Sequence, residues 1–212
     1  MKDSPQKLCF VVMGFGKKTD YESGRTLDLD ATYEAIIKPA ADAAELRCIR
    51  ADEIMHSGII DSKMYEMLLR ADLVVADIST GNVNAVYELG VRHALRPNST
   101  IIMTESKGRL YFDLNHVATF KHEHLGDDIG AREAKRAQKD LADLMKAAIT
   151  ASAPDSPVYA FIPALRCPRL TDDEFKSLLD STESEQDDLA AFIQAGDKAI
   201  TETRFEDAVK AG

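Results

Sequence analysis

The sequence predicts an α/β fold, a mostly parallel sheet of about five strands with helices on both faces and further helices behind it. Three observations predict it. Short apolar runs ending in Gly or Asp recur along the chain, as in KLCFVVM (7–13), DLVVAD (72–77) and TIIMTE (100–105). Runs without polar alternation are the mark of strands buried on both faces. Segments of helical period separate these runs, and such alternation builds parallel strands joined by right-handed crossovers. Finally, 212 residues with 45% apolar composition suffice for one ordinary domain with an appendage. The expected architecture is a flavodoxin-like or Rossmann-like three-layer sandwich, and the sequence leaves its strand order open.

The elements follow in order. KLCFVVM (7–13) is the first strand and ends at Gly14. Residues 14–27 are polar and glycine-bearing, too long for a tight connection, and so a candidate binding loop. DLDATYEAIIKPAADAAEL (28–46) is helical by pattern, with Asp28 or Asp30 as N-cap and Pro39 forcing a kink or break. RCIRA (47–51) is a second strand, IDSKMYEMLLRA (60–71) an amphipathic helix and DLVVAD (72–77) a third strand. NAVYELGVRHALR (84–96) is a helix stopped by Pro97. TIIMTE is a fourth strand, and VATFKH (117–122) a fifth. AREAKRAQKDLADLMKAAITAS is a long amphipathic helix, and SPVYAFIPAL an extended apolar segment packing back on the domain.

The division expected is an α/β domain over 1–128, the long helix and extended segment over 129–165, and an acidic helical tail over 166–212. The net charge of −10 is uneven, because the chain from Thr171 onward has 12 acidic and 4 basic residues, net −8. Acidity therefore belongs to the tail. It argues against a nucleic-acid backbone as partner, since phosphates want a basic face. The tail stops in helical pattern, as the start of a helical-repeat region in a longer protein would. No run of about 18 apolar residues and no signal-peptide pattern occurs, so a cytoplasmic, membrane-free protein is expected. Cys9, Cys48 and Cys167 are an odd number without close pairing. The first two sit in strand-like runs and read as small core residues.

In open parallel sheets, ligands sit outside the carboxyl ends of the strands. That rule sorts the acids. Asp77 ends its strand at the functional edge, whereas Asp72 starts it about 16 Å away and reads as a strand-start or cap residue. The loop ISTGNVN, with Ser79 and Asn82, leads to a helix whose N-terminus points to that edge. Asn84 is the expected N-cap, and Glu88 lies four residues on, on the same face. Two readings of Glu88 stay open. It complements the helix dipole, worth about 0.3–1 kcal/mol, or it is a reactive carboxylate in an apolar helix.

The segment GFG (Gly14, Phe15, Gly16) is a turn at a strand's carboxyl end, where backbone can approach a ligand closely. It fits neither the Walker spacing nor the dinucleotide fingerprint. Lys17, Lys18 and Arg25 could meet a phosphate or be solvated loop charges. His56, in the loop after the second strand, is a modest ligand candidate; His93 reads as structural or a helix-end charge. His122-x-His124 lacks further ligands, so no metal site is expected. No Gly-x-Ser-x-Gly elbow occurs.

The strand LVVAD, a short polar loop, NAVYELGVRHAL and the strand TIIM resemble the nucleoside 2-deoxyribosyltransferase-like superfamily. That group includes the deoxynucleoside-monophosphate N-glycosidases and is akin to TIR domains. The resemblance covers about residues 7–125, with YELG after VVADIS its most specific piece and support from FVVMGFG and from FDL (112–114). It also resembles the module preceding the helical repeats of apoptosis signal-regulating kinases and their prokaryotic relatives. The resemblance implies an enzyme cleaving the N-glycosidic bond of a nucleoside, nucleotide or NAD, without a cofactor and self-associating. Glu88 matches the motif's glutamate, which attacks or stabilises the anomeric carbon. Asp77 matches the strand-end aspartate expected to orient Glu88 or manage the base's proton, and Asn84 would hold a sugar hydroxyl or cap the helix. The longer first loop departs from the family pattern, so a catalytically silent nucleotide-sensing or scaffold module is the alternative expectation.

Overall fold

The structure, a computed structural model, describes residues 6–54, 60–108, 114, 117–169, 171 and 173. Contacts divide the chain into two units, Met1–Ser57 with Lys63–Pro168, and Gly58–Ser62 with Arg169–Gly212. Apart from the first residues of one helix, the elements below belong to the first unit.

In chain order they are β1 (Leu8–Met13), β2 (Lys17–Thr19), β3 (Thr26–Asp28), α1 (Leu29–Thr32), a π-helical segment (Tyr33–Ile37), α2 (Lys38–Ala43) and β4 (Arg47–Arg50). A 3₁₀ turn (Ala51–Ile54), α3 (Ile60–Arg70), β5 (Leu73–Asp77), α4 (Val83–Leu95), β6 (Thr100–Glu105), β7 (Thr119–His122), α5 (Ala131–Thr150) and α6 (Pro157–Phe161) follow. Five strands form one parallel sheet in the order β4-β1-β5-β6-β7. The expected α/β architecture is present, and the order is the flavodoxin-like one, which reverses direction between β1 and β5. Ligand crevices in such sheets lie at the carboxyl ends of the two strands flanking that reversal.

Side-chain alternation divides the core into two layers. Cys9, Val11 and Met13 of β1 pack with Leu73 and Val75 of β5 against Leu29, Ile36, Ile37 and Ala40 on one side and Leu141 and Met145 of α5. Phe10 and Val12 point the other way, joining Val74, Ala76, Leu68 of α3, and Ala85 and Leu89 of α4. At the amino edge the Leu8 amide donates to Asp72 Oδ2 at 2.8 Å, so Asp72 is the strand-start cap its position suggested.

Three local details differ from the sequence reading. The 14–27 stretch is not a simple loop, because β2 and β3 pair antiparallel within it. Its turn is closed by Asp20, which accepts from the Glu22 amide at 3.0 Å and the Ser23 hydroxyl at 2.6 Å, and by Gly24 at φ +69°. Aspartate folding back on its own backbone and glycine in the left-handed region are ordinary turn devices.

Pro39 does not break its helix. It falls at the first turn of α2, behind the π-helical segment, where a missing N–H costs least. The Ala35 carbonyl, four residues before Pro39 and so deprived of its usual amide, accepts from Gln138 Nε2 of α5 at 2.7 Å. Upstream, Asp28 is the N-cap, accepting from the Asp30 amide at 3.2 Å.

Residues 157–161, expected to be extended, form a short helix with Pro157 in its first turn. The buried Ser156 hydroxyl donates to the His93 carbonyl at 2.7 Å, and Tyr159 to the Ala94 carbonyl at 3.1 Å, tying the segment to the end of α4.

The strongest anchor of α4 is Arg92, which is 0% exposed. It donates to the carbonyls of Leu68 (2.7 Å), Ala71 (3.2 Å) and Ser99 (3.0 Å), binding the end of α3 and the start of β6 to α4. Burial of a guanidinium is tolerable only when its donors are met. Among the described residues no helix is long and apolar enough to cross a membrane.

Removing Arg92 strands several buried carbonyls. Arg92→Leu is expected to lower unfolding free energy by about 3 kcal/mol or more in urea denaturation, and Arg92→Lys to recover little of it, because one ammonium cannot span the same acceptors.

Candidate active site

The carboxyl edge gathers most of the residues that the sequence singled out, in three groups. At the end of β1, a Cβ added to Gly14 would stand 2.8 Å from Leu29 Cδ1 and 3.0 Å from Asn82 Nδ2. A side chain here would have to push aside the Leu29 and Asn82 side chains, so glycine keeps them packed against the end of β1. Gly16 is left-handed at φ +64°, and its carbonyl accepts from the Leu29 amide at 3.1 Å. Phe15 between them is 48% exposed, with the Lys18 ammonium 5.2 Å from its ring centre. Backbone, an exposed ring and a cation thus share this corner.

The second group is a chain of buried polar contacts along β5 and β6. Asp77 is 1% exposed, and its Oδ1 accepts from both the amide and the hydroxyl of Ser79. The Ser79 hydroxyl oxygen also accepts from the Glu105 amide at 2.9 Å. Glu105, itself 1% exposed, is held by Arg25, with Nη1 to Oε2 at 2.7 Å, and by the Lys107 amide at 2.9 Å. Burial alone would raise the Glu105 pKa, but the Arg25 bonds outweigh it and hold the carboxyl below its usual range. Arg25 reaches Glu105 from the β2–β3 hairpin, which is further tied down by the Asp28 amide to the Gly126 carbonyl at 2.7 Å. His124 accepts the Gly126 amide on Nδ1, so its Nε2 carries the proton and donates to the Asp28 carbonyl at 2.9 Å. Among the described residues, Asp77 Oδ2, Thr104 Oγ1 and both ring nitrogens of the fully buried His122 lack a partner. Burial keeps the His122 ring below its ordinary pKa, so it is neutral.

The third group is the start of α4. Asn82, not Asn84, is the N-cap: its Oδ1 accepts from the amides of Asn84 (3.0 Å) and Ala85 (3.2 Å). The helix begins one residue earlier than the sequence reading placed it, and Asn84 is exposed. Glu88 lies in the second turn and is half-buried. No hydrogen bond or ion pair engages it among the described residues, and burial alone raises its pKa to about 7.

That isolation is informative because a partner stands nearby in sequence. Glutamate four residues before arginine is the favourable orientation for a helical ion pair. Arg92 instead turns inward to backbone carbonyls, and among the described residues Glu88 has no counter-charge. A dipole-complementing glutamate would sit in the first turn with its carboxyl in water, which is not what is found. Asp77 contributes nothing to the Glu88 shift, and its bonds run to Ser79.

The sequence-predicted residues therefore separate. Asp77, Ser79 and Arg25 are joined through Glu105; Gly14, Gly16, Phe15 and Asn82 form a second corner; Glu88 stands apart on α4, with Asn84 on the helix surface. His56 lies outside the described residues. His93 is buried, its pKa pushed to about 4 by burial and then by Arg92, so it is a neutral core group. Sequence reasoning missed Glu105, although the strand-end rule that selected Asp77 selects it equally from TIIMTE. Among the described residues no cluster of three or more His, Cys, Asp and Glu side chains could hold a metal ion.

No protein-family model and no curated protein matches the chain. Among solved structures, the Francisella novicida lysine decarboxylase LdcF is similar at 13% identity and a TM-score of 0.39, over 69% of this chain and 17% of that one. The chain thus spans about a sixth of that enzyme's length, and a likeness of this degree carries no functional argument.

Two outcomes test the geometry of α4. Asn82→Ala is expected to cost about 1 kcal/mol in chemical denaturation and Asn84→Ala close to nothing, as only the former removes the cap. Glu88 binds a proton more tightly in the folded state than in the unfolded one. The stability tied to its neutral form is therefore complete below about pH 4.5 and is lost as pH rises through about 7. Glu88→Gln should match the parent near pH 4.5 and exceed its stability at pH 8 by about 1 kcal/mol, a figure discounted for solvent contact.

Proposed function

We propose that this domain binds a nucleoside, nucleotide or NAD at the carboxyl edge of the sheet and cleaves its N-glycosidic bond, with Glu88 as the reacting carboxylate. The observation that carries this reading is a half-buried glutamate, without a hydrogen-bond or ion-pair partner among the described residues, in the second turn of a helix fixed at both ends. The YELG motif gives the reading its chemical class, through the likeness to nucleoside 2-deoxyribosyltransferases and deoxynucleotide N-glycosidases.

As the bond from anomeric carbon to base nitrogen breaks, positive charge develops on the sugar. A carboxylate held out of bulk water stabilises that charge strongly, and it can add to the carbon to form a glycosyl ester that water or a second base then resolves. Ionised Glu88 is the active form, and its pKa of about 7 lets it lose a proton near neutrality. Asp77, with Oδ2 unpartnered, would take or give the base's proton, and Asn82, Gly14 and Phe15 would bound the sugar and base. Self-association belongs to the same proposal.

A second reading, a nucleotide sensor or scaffold module without turnover, is favoured by one specific contact. Arg25, the hairpin cation considered for a substrate phosphate, is already engaged with Glu105.

Incubation with a panel of nucleosides, nucleotides and NAD, followed by chromatography for freed base, separates the two. Catalysis requires base release that rises with pH through about 7 and falls at least a hundredfold in Glu88→Gln. Full activity in Glu88→Gln would remove Glu88 from the chemistry. Thermal stabilisation by a nucleotide with no base released would establish the sensor.

A further inference from the structure

Two thiols stand away from this site. Cys9 and Cys48 are register partners on the adjacent parallel strands β1 and β4. Register partners on parallel strands project to the same face, and here both belong to the layer covered by α1 and α2: Cys9 lies within that core and Cys48 packs against it. Neighbouring strands run about 4.8 Å apart, inside the range of about 4.4–6.8 Å that a disulfide spans between Cα atoms. Both cysteines are free.

Their surroundings differ in a way that assigns roles. Cys9 is 0% exposed, and the neighbouring Cys48 thiol and then burial raise its pKa. Cys48 is half-buried on the sheet's edge strand. Its pKa is lowered by the neighbouring Cys9 thiol, against the opposing effects of burial and of the Glu53 and Asp42 carboxylates, and its sulfur lies 3.8 Å from the Tyr33 hydroxyl, whose proton goes to Glu53 Oε1 at 3.1 Å. A half-buried sulfur on an edge strand beside a fully buried partner thiol is the arrangement of an attacking and a resolving cysteine.

We propose that Cys48 and Cys9 form a peroxide-oxidisable dithiol, with Cys48 attacked first and Cys9 closing a cross-strand disulfide. The Cys48 thiolate displaces hydroxide from hydrogen peroxide, breaking the O–O bond and forming the Cys48 sulfenic acid, while the hydroxide takes up a proton to become water. Cys9 sulfur then attacks Cys48 sulfur. The S–O bond breaks, and the departing hydroxyl leaves as water with the Cys9 proton. Two thiols lose two hydrogens and two electrons, and one peroxide becomes two waters. The inference does not depend on the glycosidase reading.

The full chain, reduced and freed of reductant, is treated with hydrogen peroxide, alkylated under denaturing conditions and digested for mass spectrometry. The expected result is a loss of about 2 Da and a peptide pair joining Cys9 to Cys48. Both features should persist in Cys167→Ala, and thiol reductant should reverse them. In Cys9→Ala, Cys48 should instead accumulate as a sulfenic acid captured by dimedone. Alkylation of both thiols after peroxide treatment would overturn the proposal. So would a link from either one to Cys167 or between molecules. Because the parent and Cys167→Ala decide the matter, poor folding of Cys9→Ala leaves the test intact.

Discussion

Arg92 is the interaction on which the arrangement of the carboxyl edge depends. A guanidinium with no exposed surface survives inside a protein only when its donors find acceptors, and here these are the last carbonyls of α3 and the chain entering β6. In meeting them, Arg92 fixes the carboxyl half of α4 over β1 and β5. The same orientation takes it away from Glu88, its natural partner one turn earlier. One side chain therefore both immobilises the helix and forgoes the ion pair its position offers to Glu88. Asn82 fixes the other end, and its amide group lies against Gly14, so the cap of α4 and the end of β1 are set together.

Around this frame the carboxyl edge divides its acids by environment. Glu105 is deeply buried yet ionised, because Arg25 and a backbone amide meet its oxygens. Glu88 is less buried but has no such partners among the described residues, and burial holds it toward the neutral form. Burial alone does not decide protonation; the supply of donors does. The β2–β3 hairpin provides that supply for Glu105, and through Ser79 it is linked to Asp77. A stretch with no regular element in the sequence reading thus becomes the brace that holds the ends of β5 and β6 together.

Much of the fold was legible because unbroken apolar runs such as CFVVM and LVVA can be accommodated only where both faces are covered. Pro39 shows the opposite case. A proline inside a helical pattern locally signals a break, and only a glutamine a hundred residues later, meeting the Ala35 carbonyl, lets the helix run through. The cap of α4 was misplaced by two residues because Asn82 and Asn84 are chemically equivalent candidates, and only the structure shows that the Asn82 side chain meets the first amides of the helix. Glu105 was within reach of the strand-end rule applied to TIIMTE, but its pairing with Arg25 of the hairpin is visible only in the folded sheet.

The sequence by itself determined the α/β class, the parallel sheet and the carboxylate worth asking about, since periodicity and burial are local, additive properties of residue type. It could not decide the strand order, the partner of Arg25 or the isolation of Glu88. Those are set by which groups far apart in the chain meet in space. The inward turn of Arg92 is favoured only when the carbonyls of α3 and of the chain entering β6 are brought to the same point, and folding alone does that.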